Sequence, residues 1–112
     1  MNRNIFYFRA YYLEFFTAQT AEVQRKFNYP LQLIATIDMV PEKYFKHISG
    51  TKGIYEIRVE VQSNIYRVFS FFDEGNLIIL VNGFQKKTLK TLRKEIELAL
   101  RLRKEYYEEF KK

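Results

Sequence analysis

The chain has 112 residues and 47% of them are hydrophobic, which allows one compact domain with its own core and excludes two domains. It contains no cysteine, so a disulfide framework and a thiolate metal site are excluded. The formal net charge is +6, and residues 86–112 carry ten Lys or Arg against five Glu, so five of the six excess charges lie there. This distribution indicates a polyanionic or acidic partner, although a solvated basic helix without a partner would show the same pattern.

The sequence shows no membrane or secretion signal. No apolar run approaches the ~18 residues that a bilayer-spanning helix needs. Residues 1–8 contain neither the apolar stretch nor the small-residue cleavage site of a signal peptide. We therefore expect a soluble, cytoplasmic protein without membrane association, whose single domain spans residues 1–112.

The N-terminal part of the chain predicts one strand followed by two helices. Residues 4–8 are aromatic and rich in strand-forming side chains, and residues 11–18 are typical of a short helix. Thr20 is placed to cap a second helix, whose apolar residues recur at spacings of three and four as far as Met39. Pro30 lies inside this helix, and we expect a kink or a break there because proline lacks a backbone donor and clashes with the preceding turn.

Three strand-like segments and a final helix follow a polar connection. The turns between the segments are short, at residues 63–64 and 73–76, which predicts an antiparallel meander. Thr88 or Thr91 is placed to cap a basic C-terminal helix over residues 89–112. The expected order is β-α-α-β-β-β-α, an α+β domain in which a twisted antiparallel sheet packs on helices. The three segments are residues 54–61, 65–72 and 77–84.

Two arginines are predicted to share one open face of this sheet. If residues 63–64 form a two-residue turn, Glu60 lies opposite Arg67 and Arg58 lies opposite Phe69, because side chains alternate between faces. An ordinary cross-strand ion pair between Glu60 and Arg67, worth roughly 0.2–1 kcal/mol, is the alternative explanation for these charges. The other face is expected to pack on the helices through Tyr55, Ile57, Val59, Val61, Tyr66 and Val68.

Further cations and aromatic rings are expected beside the arginines. Extending the pairing to the third strand places Asn82 next to Arg67 and Phe84 near it, and Lys86 and Lys87 follow directly. Arg and Lys hold phosphates, while exposed aromatic rings stack on unpaired bases. The pattern therefore favours a sheet face that binds RNA.

Five short motifs, taken together, resemble one protein family. They are Val40-Pro-Glu-Lys-Tyr-Phe-Lys46, Gly53-Ile-Tyr-Glu-Ile-Arg58, Tyr66-Arg67-Val-Phe, Gly83-Phe-Gln-Lys-Lys-Thr88 and Lys94-Glu-Ile-Glu-Leu-Ala99. Each motif is modest alone, but their order and spacing are specific, and the similarity covers about residues 5–107. The chain resembles the HigB-like, phage-derived branch of the RelE/ParE superfamily of type II toxins.

The resemblance implies a single RelE/ParE-like domain that cleaves mRNA on the ribosome and so inhibits translation. It also implies a helix-turn-helix antitoxin, encoded by an adjacent gene, whose complex with the toxin binds operator DNA. No cofactor is implied. Two other activities stay open within the same fold: a ParE-like gyrase inhibitor that cleaves nothing, and an inactive remnant that only binds its antitoxin.

Two positions depart from the family pattern Lys-Lys-Thr-Gln-Lys-Thr-Pro. Leu89 stands where Gln is usual, and Leu92 stands where Pro is usual. Because proline is pre-organised for the first turn of a helix, its loss is expected to loosen the junction between the loop and the last helix. An apolar side chain at Leu89, beside the lysines, is expected to alter an RNA contact. Both departures favour the interpretation that the chain is an inactive remnant that only binds its antitoxin.

The expected catalytic residues are Arg58, Arg67, Lys86 and Lys87. RNA is cleaved when a 2′-hydroxyl attacks the adjacent phosphate, and one well-placed donor to the developing charge contributes ~3–4 kcal/mol. Arginine suits this role because its planar guanidinium stays charged. We expect Arg58 and Arg67 to hold the scissile and neighbouring phosphates, with Lys86 or Lys87 as a second clamp or as the general acid.

Four further residues are expected to contact RNA, and the general base stays undecided. Glu56 shares the arginine face but is more typical of an orienting partner, whereas His47 is the one histidine and histidine carries protons near neutral pH. Tyr106 and Tyr107 have a spacing that favours the core or an antitoxin contact over the site. No metal site is expected, since one histidine and scattered carboxylates form no ligand set. The RNA-contacting residues are Lys52, Glu56, Phe84 and Lys90.

Overall fold

The computed structural model of the chain describes residues 2–111. It is an α+β domain of five strands and three helices, one strand more than expected. In residues 2–111, no helix combines the length and the apolar character needed to cross a membrane. The elements in chain order are β1 (Asn4–Tyr7), α1 (Tyr11–Thr17), α2 (Ala21–Thr36), β2 (Phe45–His47), β3 (Tyr55–Val61), β4 (Asn64–Asp73), β5 (Leu77–Gln85) and α3 (Leu89–Phe110).

The strands form one mixed sheet in the order β1-β5-β4-β3-β2. β3, β4 and β5 form the expected antiparallel meander. β1 runs parallel to β5, so the expectation of a purely antiparallel sheet is wrong. Parallel pairing is open to β1 because a long stretch of chain, including two helices, separates it from β5. The unexpected strand β2 pairs antiparallel with β3 at the other edge, and its three residues are too few to show a strand pattern in the sequence.

α2 begins at its predicted cap and continues through Pro30 without a break. The backbone N–H of Val23 donates to Thr20 Oγ1 at 3.3 Å, which satisfies one of the free donors of the first turn. Pro30 is buried on the same side of the helix as Val23, Phe27 and Ile34. The burial of this apolar stripe offsets the one backbone hydrogen bond that the proline removes.

α2 ends at Thr36, earlier than expected, because Ile37 takes an extended backbone conformation. Arg3 supplies donors to the carbonyl oxygens that the helix leaves free. Its guanidinium donates to the backbone oxygens of Ile34 at 2.8 Å, Ile37 at 2.7 Å and Asp38 at 2.8 Å. The N-terminal strand is thereby tied to the end of the helix.

Helices cover both faces of the sheet. α1 and α2 pack on the face that was expected to be the core side, and the buried strand residues there include Ile57, Val59, Val61 and Val68. α3 packs on the opposite face, which carries the arginines, and buries Phe69, Phe71 and Phe84. The arginine face is therefore only partly open. Phe69 and Phe84 are 0% and 8% exposed, so the expectation of exposed aromatic rings on this face is wrong.

The pairing register between β3 and β4 differs by two residues from the predicted register. Gln62 and Ser63, with φ of 51° and 72°, form the turn, and positive φ at both central residues is the type I′ geometry that suits a two-residue hairpin. Arg58 therefore lies directly opposite Arg67, and the predicted pairing of Glu60 with Arg67 is wrong. Because the shift is an even number of residues, both arginines stay on one face.

A bulge in β5 changes the neighbours of Arg67. The register shifts between Val68 and Ser70, so that two residues of β5 oppose one residue of β4. Arg67 consequently lies opposite Phe84, and the predicted placement of Asn82 beside it is wrong. Asn82 turns towards α3 instead, where its Nδ2 donates to the backbone oxygen and to Oε1 of Glu95, both at 3.0 Å.

Candidate functional site

A groove of about 700 Å³ opens on the arginine face between α3 and the β2 edge of the sheet, and we call it the arginine groove. β3 and β4 contribute the charged floor, which consists of Glu56, Arg58 and Arg67. β2 and the residues before it contribute cations and the one histidine, and α3 contributes an apolar wall. The residues of these walls are Glu42, Lys43, Lys46, His47, Ile48, Ser49, Leu92 and Ile96.

Arg67 is fixed in the groove by a buried carboxylate. Its Nη1 lies 3.1 Å from Glu56 Oε1, and the two side chains are 12% and 9% exposed. Glu56 lies opposite Phe69 on β4, two positions from the Arg67 row, so the ion pair runs diagonally between the strands. A guanidinium held in this way keeps one orientation, which leaves its remaining donors aimed at a constant place.

Arg58 occupies the directly opposite position and is less restrained. Its Nη2 lies 3.8 Å from Glu60 Oε1, and its side chain is 34% exposed. Two guanidinium groups in opposite positions repel each other, and Glu56 is the one carboxylate buried with them. The Nε atoms of both arginines are buried and make no hydrogen bond within residues 2–111. Buried donors without partners, next to two positive charges, favour an anion as the ligand.

β2 points Lys46 towards the arginine groove, whereas the His47 ring packs on Tyr55 at the other face, so that His47 only borders the groove. Lys46 lies opposite Glu56, and His47 lies opposite Tyr55 with its ring 5.2 Å from the tyrosine ring. Sequence reasoning considered His47 as a base but missed Lys46 and Lys43. The alternation of apolar Phe45 with Lys46 was the available signal, and it spans too few residues to mark a strand.

The other predicted site residues do not line the arginine groove among the residues that the structure describes. Phe84 is buried against Phe69, with the ring centres 5.2 Å apart, so its predicted role in stacking on RNA does not fit its position. Lys86 is half-buried just beyond β5, where its N–H donates to Ile65 O. The three remaining lysines are exposed, and they are Lys52, Lys87 and Lys90.

Tyr106 and Tyr107 lie at the far end of β4. The Tyr106 hydroxyl donates to Asp73 Oδ2 at 2.6 Å, and the Tyr107 hydroxyl donates to Phe72 O at 3.0 Å. Burial and the hydrogen bond to Asp73 raise the pKa of Tyr106 to about 12. Asp73 is six residues along β4 from Arg67, roughly 20 Å at the rise of a strand, so neither hydroxyl reaches the groove.

The two positions that depart from the resembled pattern have different environments. Leu89 is the first residue of α3 and is 66% exposed. Leu92 is half-buried, packs against the core under α3 and forms part of the groove wall. The junction is capped without proline, because the N–H of Thr91 donates to Thr88 Oγ1 at 3.1 Å. α3 therefore begins before Leu92 instead of at it.

The groove offers cations for an anionic ligand and little for a metal. Within residues 2–111, the His, Asp and Glu side chains form no group of three or more that could hold a metal ion. The four cations that line the groove outnumber its two carboxylates. Its chemistry is therefore that of a phosphate-binding surface with one imidazole close by.

Comparison with known proteins places the chain in a family. The family model described as Phage derived protein Gp49-like (DUF891) matches residues 14–104, a range that includes every residue lining the arginine groove. None of the curated proteins compared with the chain matches it significantly. Since the matched range covers most of its length, the chain belongs to the Gp49-like family of phage-derived proteins, which is a family of RelE/HigB-like toxins.

Proposed function

We propose that this toxin is a HigB-like mRNA endoribonuclease that acts on the ribosome and so inhibits translation. The observation that carries the proposal is the arrangement of Arg58 and Arg67, two opposite guanidinium groups in a groove with one buried carboxylate. A single-stranded RNA lying in the groove would bring its phosphates to these groups. The partly buried position strengthens each contact relative to one in open water.

The reaction that fits these residues is transesterification at phosphorus. The 2′-oxygen of one nucleotide attacks the adjacent phosphorus in line, a new O2′–P bond forms, and the P–O5′ bond breaks. The products are a 2′,3′-cyclic phosphate and a free 5′-hydroxyl. Arg58 and Arg67 donate hydrogen bonds to the non-bridging oxygens, whose negative charge grows in the transition state, and each donor contributes about 3–4 kcal/mol.

Two proton transfers complete the reaction. We assign the proton of the attacking 2′-hydroxyl to His47, which borders the groove, because imidazole takes up protons near neutral pH. The His47 ring packs on Tyr55 at the other face of the sheet, so this role requires the ring to turn towards the groove. We assign the protonation of the leaving O5′ to Lys46, because it lies opposite Glu56 and lines the groove. Glu56 is a positioning residue in this scheme, since Arg67 already occupies its Oε1. Lys52, Lys86, Lys87 and Lys90 lie outside the groove and keep the role of secondary RNA contacts.

The proposal includes the partners that a toxin of this kind requires. A helix-turn-helix antitoxin from an adjacent gene would neutralise the toxin, and the complex of the two would bind operator DNA. The antitoxin would act on the free toxin before it reaches a ribosome and its mRNA.

Expression of the toxin without its antitoxin tests the proposal. We expect growth arrest, together with new transcript 5′ ends inside translated codons. In purified translating ribosomes, the same cuts are expected in the bound mRNA and not in free mRNA. Arrest with intact transcripts and broken DNA would instead identify a gyrase inhibitor, and normal growth would identify an inactive remnant.

A further inference from the structure

A second groove, of about 620 Å³, lies on the outer side of α2, and we call it the α2 groove. It is formed by α2, by the residues just before β2, and by the outer part of β3. Lys43 and Arg58 line both this groove and the arginine groove, so the two grooves meet at these side chains. β2 pairs with β3 from His47 to Phe45, and the Arg58 N–H still donates to Tyr44 O at 3.0 Å, so the residues just before β2 stay against β3 beside Arg58.

The α2 groove is basic because one face of α2 carries unpaired cations. One flank of the helix, beside its buried stripe, carries side chains at the spacing of neighbouring turns, and they are Glu22, Arg25, Lys26 and Tyr29. Arg25 and Lys26 are exposed, and neither belongs to an ion pair among residues 2–111. With Lys43 and Arg58, the groove presents four cations against two carboxylates. This excess of positive charge favours a polyanion over a neutral ligand.

Two tyrosines stand among these cations. Tyr29 is 55% exposed, and its ring lies 5.4 Å from the Tyr44 ring in an edge-to-face arrangement. The Lys43 ammonium lies 5.0 Å from the centre of the Tyr44 ring. An exposed ring packed against a second ring, in a groove that is also lined by cations, is an arrangement on which single-stranded nucleic acids stack their bases. An acidic protein segment would use the cations but would leave the open face of Tyr29 without a matching group.

We infer that the α2 groove is a second RNA subsite, which holds the single strand next to the cleaved phosphate. The strand would pass Arg58, where the grooves meet, place a base on Tyr29, and lay its phosphates on Arg25 and Lys26. This inference rests on the proposed function for the identity of the strand. It adds a substrate path that leads out of the arginine groove over the edge of the sheet.

Binding of a strand that cannot be cleaved tests the subsite separately from catalysis. The probe is a short fluorescent RNA with 2′-O-methyl groups throughout, which removes the attacking hydroxyls, titrated with the free toxin by anisotropy at several salt concentrations. Tyr29→Ala is expected to weaken binding about tenfold, the order of one lost base stack. The double variant Arg25→Ala/Lys26→Ala is expected to weaken binding and to reduce the slope of log K against log salt by about 1.4, as for two single-strand phosphate contacts.

Matched variants and a crosslink complete the test. Lys94→Ala/Lys104→Ala removes two exposed charges from α3 and Tyr7→Ala removes an exposed ring from β1, and both are expected to bind as the unchanged protein does. A probe with 4-thiouridine is expected to crosslink to the peptide that contains Tyr29 or Tyr44. Unchanged affinity and salt slope in both α2 variants, or crosslinks elsewhere only, would overturn the inference. Probe binding and ribosomal cleavage test the two proposals separately. If the α2 variants lose probe binding but the unchanged toxin cleaves no mRNA on ribosomes, the subsite is supported and the nuclease activity is contradicted.

Discussion

Arg58 and Arg67 lie directly opposite each other on β3 and β4, although like charges in opposite positions destabilise a sheet. Glu56 neutralises Arg67 at 3.1 Å, whereas Arg58 approaches Glu60 only to 3.8 Å. Lys43 and Lys46 line the same groove, so its cations still outnumber its carboxylates. A bound phosphate would balance this excess of positive charge, and the groove gives the phosphate a fixed position.

Replacing Glu56 separates a positioning role from a catalytic one. Glu56→Ala leaves the buried Arg67 guanidinium unpaired, so we expect a loss of about 3–5 kcal/mol in the free energy of unfolding, measured by urea denaturation. Glu56→Gln keeps an oxygen that accepts from Arg67 and is expected to lose only about 1–2 kcal/mol. If Glu56 only positions Arg67, the Gln variant cleaves with an unchanged pH profile. Loss of all cleavage in a folded Gln variant would make Glu56 the base.

Replacing His47 tests the proton acceptor. In His47→Gln we expect single-turnover cleavage on ribosomes to fall by about 10²–10³, the usual range for a general base, and the acidic limb of the pH profile to disappear. His47 is exposed at the edge of the sheet, so the melting temperature is expected to change little. A Gln variant that retains the acidic limb would remove His47 from the mechanism.

Tyr106 predicts a stability change at high pH. Its pKa is raised from 10.0 to about 12 in the folded protein, so the folded state keeps the phenol proton after the unfolded state has lost it. The stabilisation is therefore complete below pH 10.0 and is lost as the pH rises to about 12. Tyr106→Phe is expected to lower the free energy of unfolding by about 1–3 kcal/mol at neutral pH, and to remove most of its decrease with pH in this interval. The free energy of unfolding is measured by urea denaturation at several pH values in this interval. The same change with pH in Tyr106→Phe and in the unchanged protein would contradict the assignment.

Proline substitutions at the start of α3 test how this copy departs from the resembled pattern. The N–H of Leu92 donates to Thr88 O at 3.1 Å. Leu92→Pro removes this hydrogen bond and breaks the first turn, so we expect the free energy of unfolding to fall by about 3 kcal/mol. The loss is smaller if the helix begins later, with Thr91 as its cap. Leu89→Pro is the matched control, because the first helical position has a free N–H in any case. Carbon chemical shifts of residues 89–91 report the outcome. Helical shifts in both variants would show that the first turn does not depend on this bond.

Much of the fold follows from local patterns, and the failures share a physical cause. The helix cap at Thr20 and the meander of β3–β5 are specified by neighbouring residues, and the sequence predicted them. The parallel pairing of β1, the short strand β2 and the continuity of α2 through Pro30 depend on distant contacts that outweigh local propensity. Each was therefore missed or expected differently.

The site could be predicted in part for the same reason. The shared face of the two arginines survived the register error because that error was even, and Glu56 was correctly placed beside them. The covering of this face by α3, which buries Phe84, depends on how the last helix packs and has no local signature. Lys46 lies in the groove because it belongs to β2, a strand of three residues that is too short to be recognised in the sequence.

The rate of single-turnover mRNA cleavage on ribosomes by Arg58→Ala tests the central claim most directly. Arg58 is suited to this test because its ion pair with Glu60 is partly exposed, so its removal is expected to cost no more than about 1 kcal/mol in stability. Lys104→Ala, which removes an exposed cation from α3, is the control. The account predicts a loss of about 10²–10³ in rate for Arg58→Ala and none for the control. A folded Arg58→Ala protein that cleaves at the unchanged rate would contradict it.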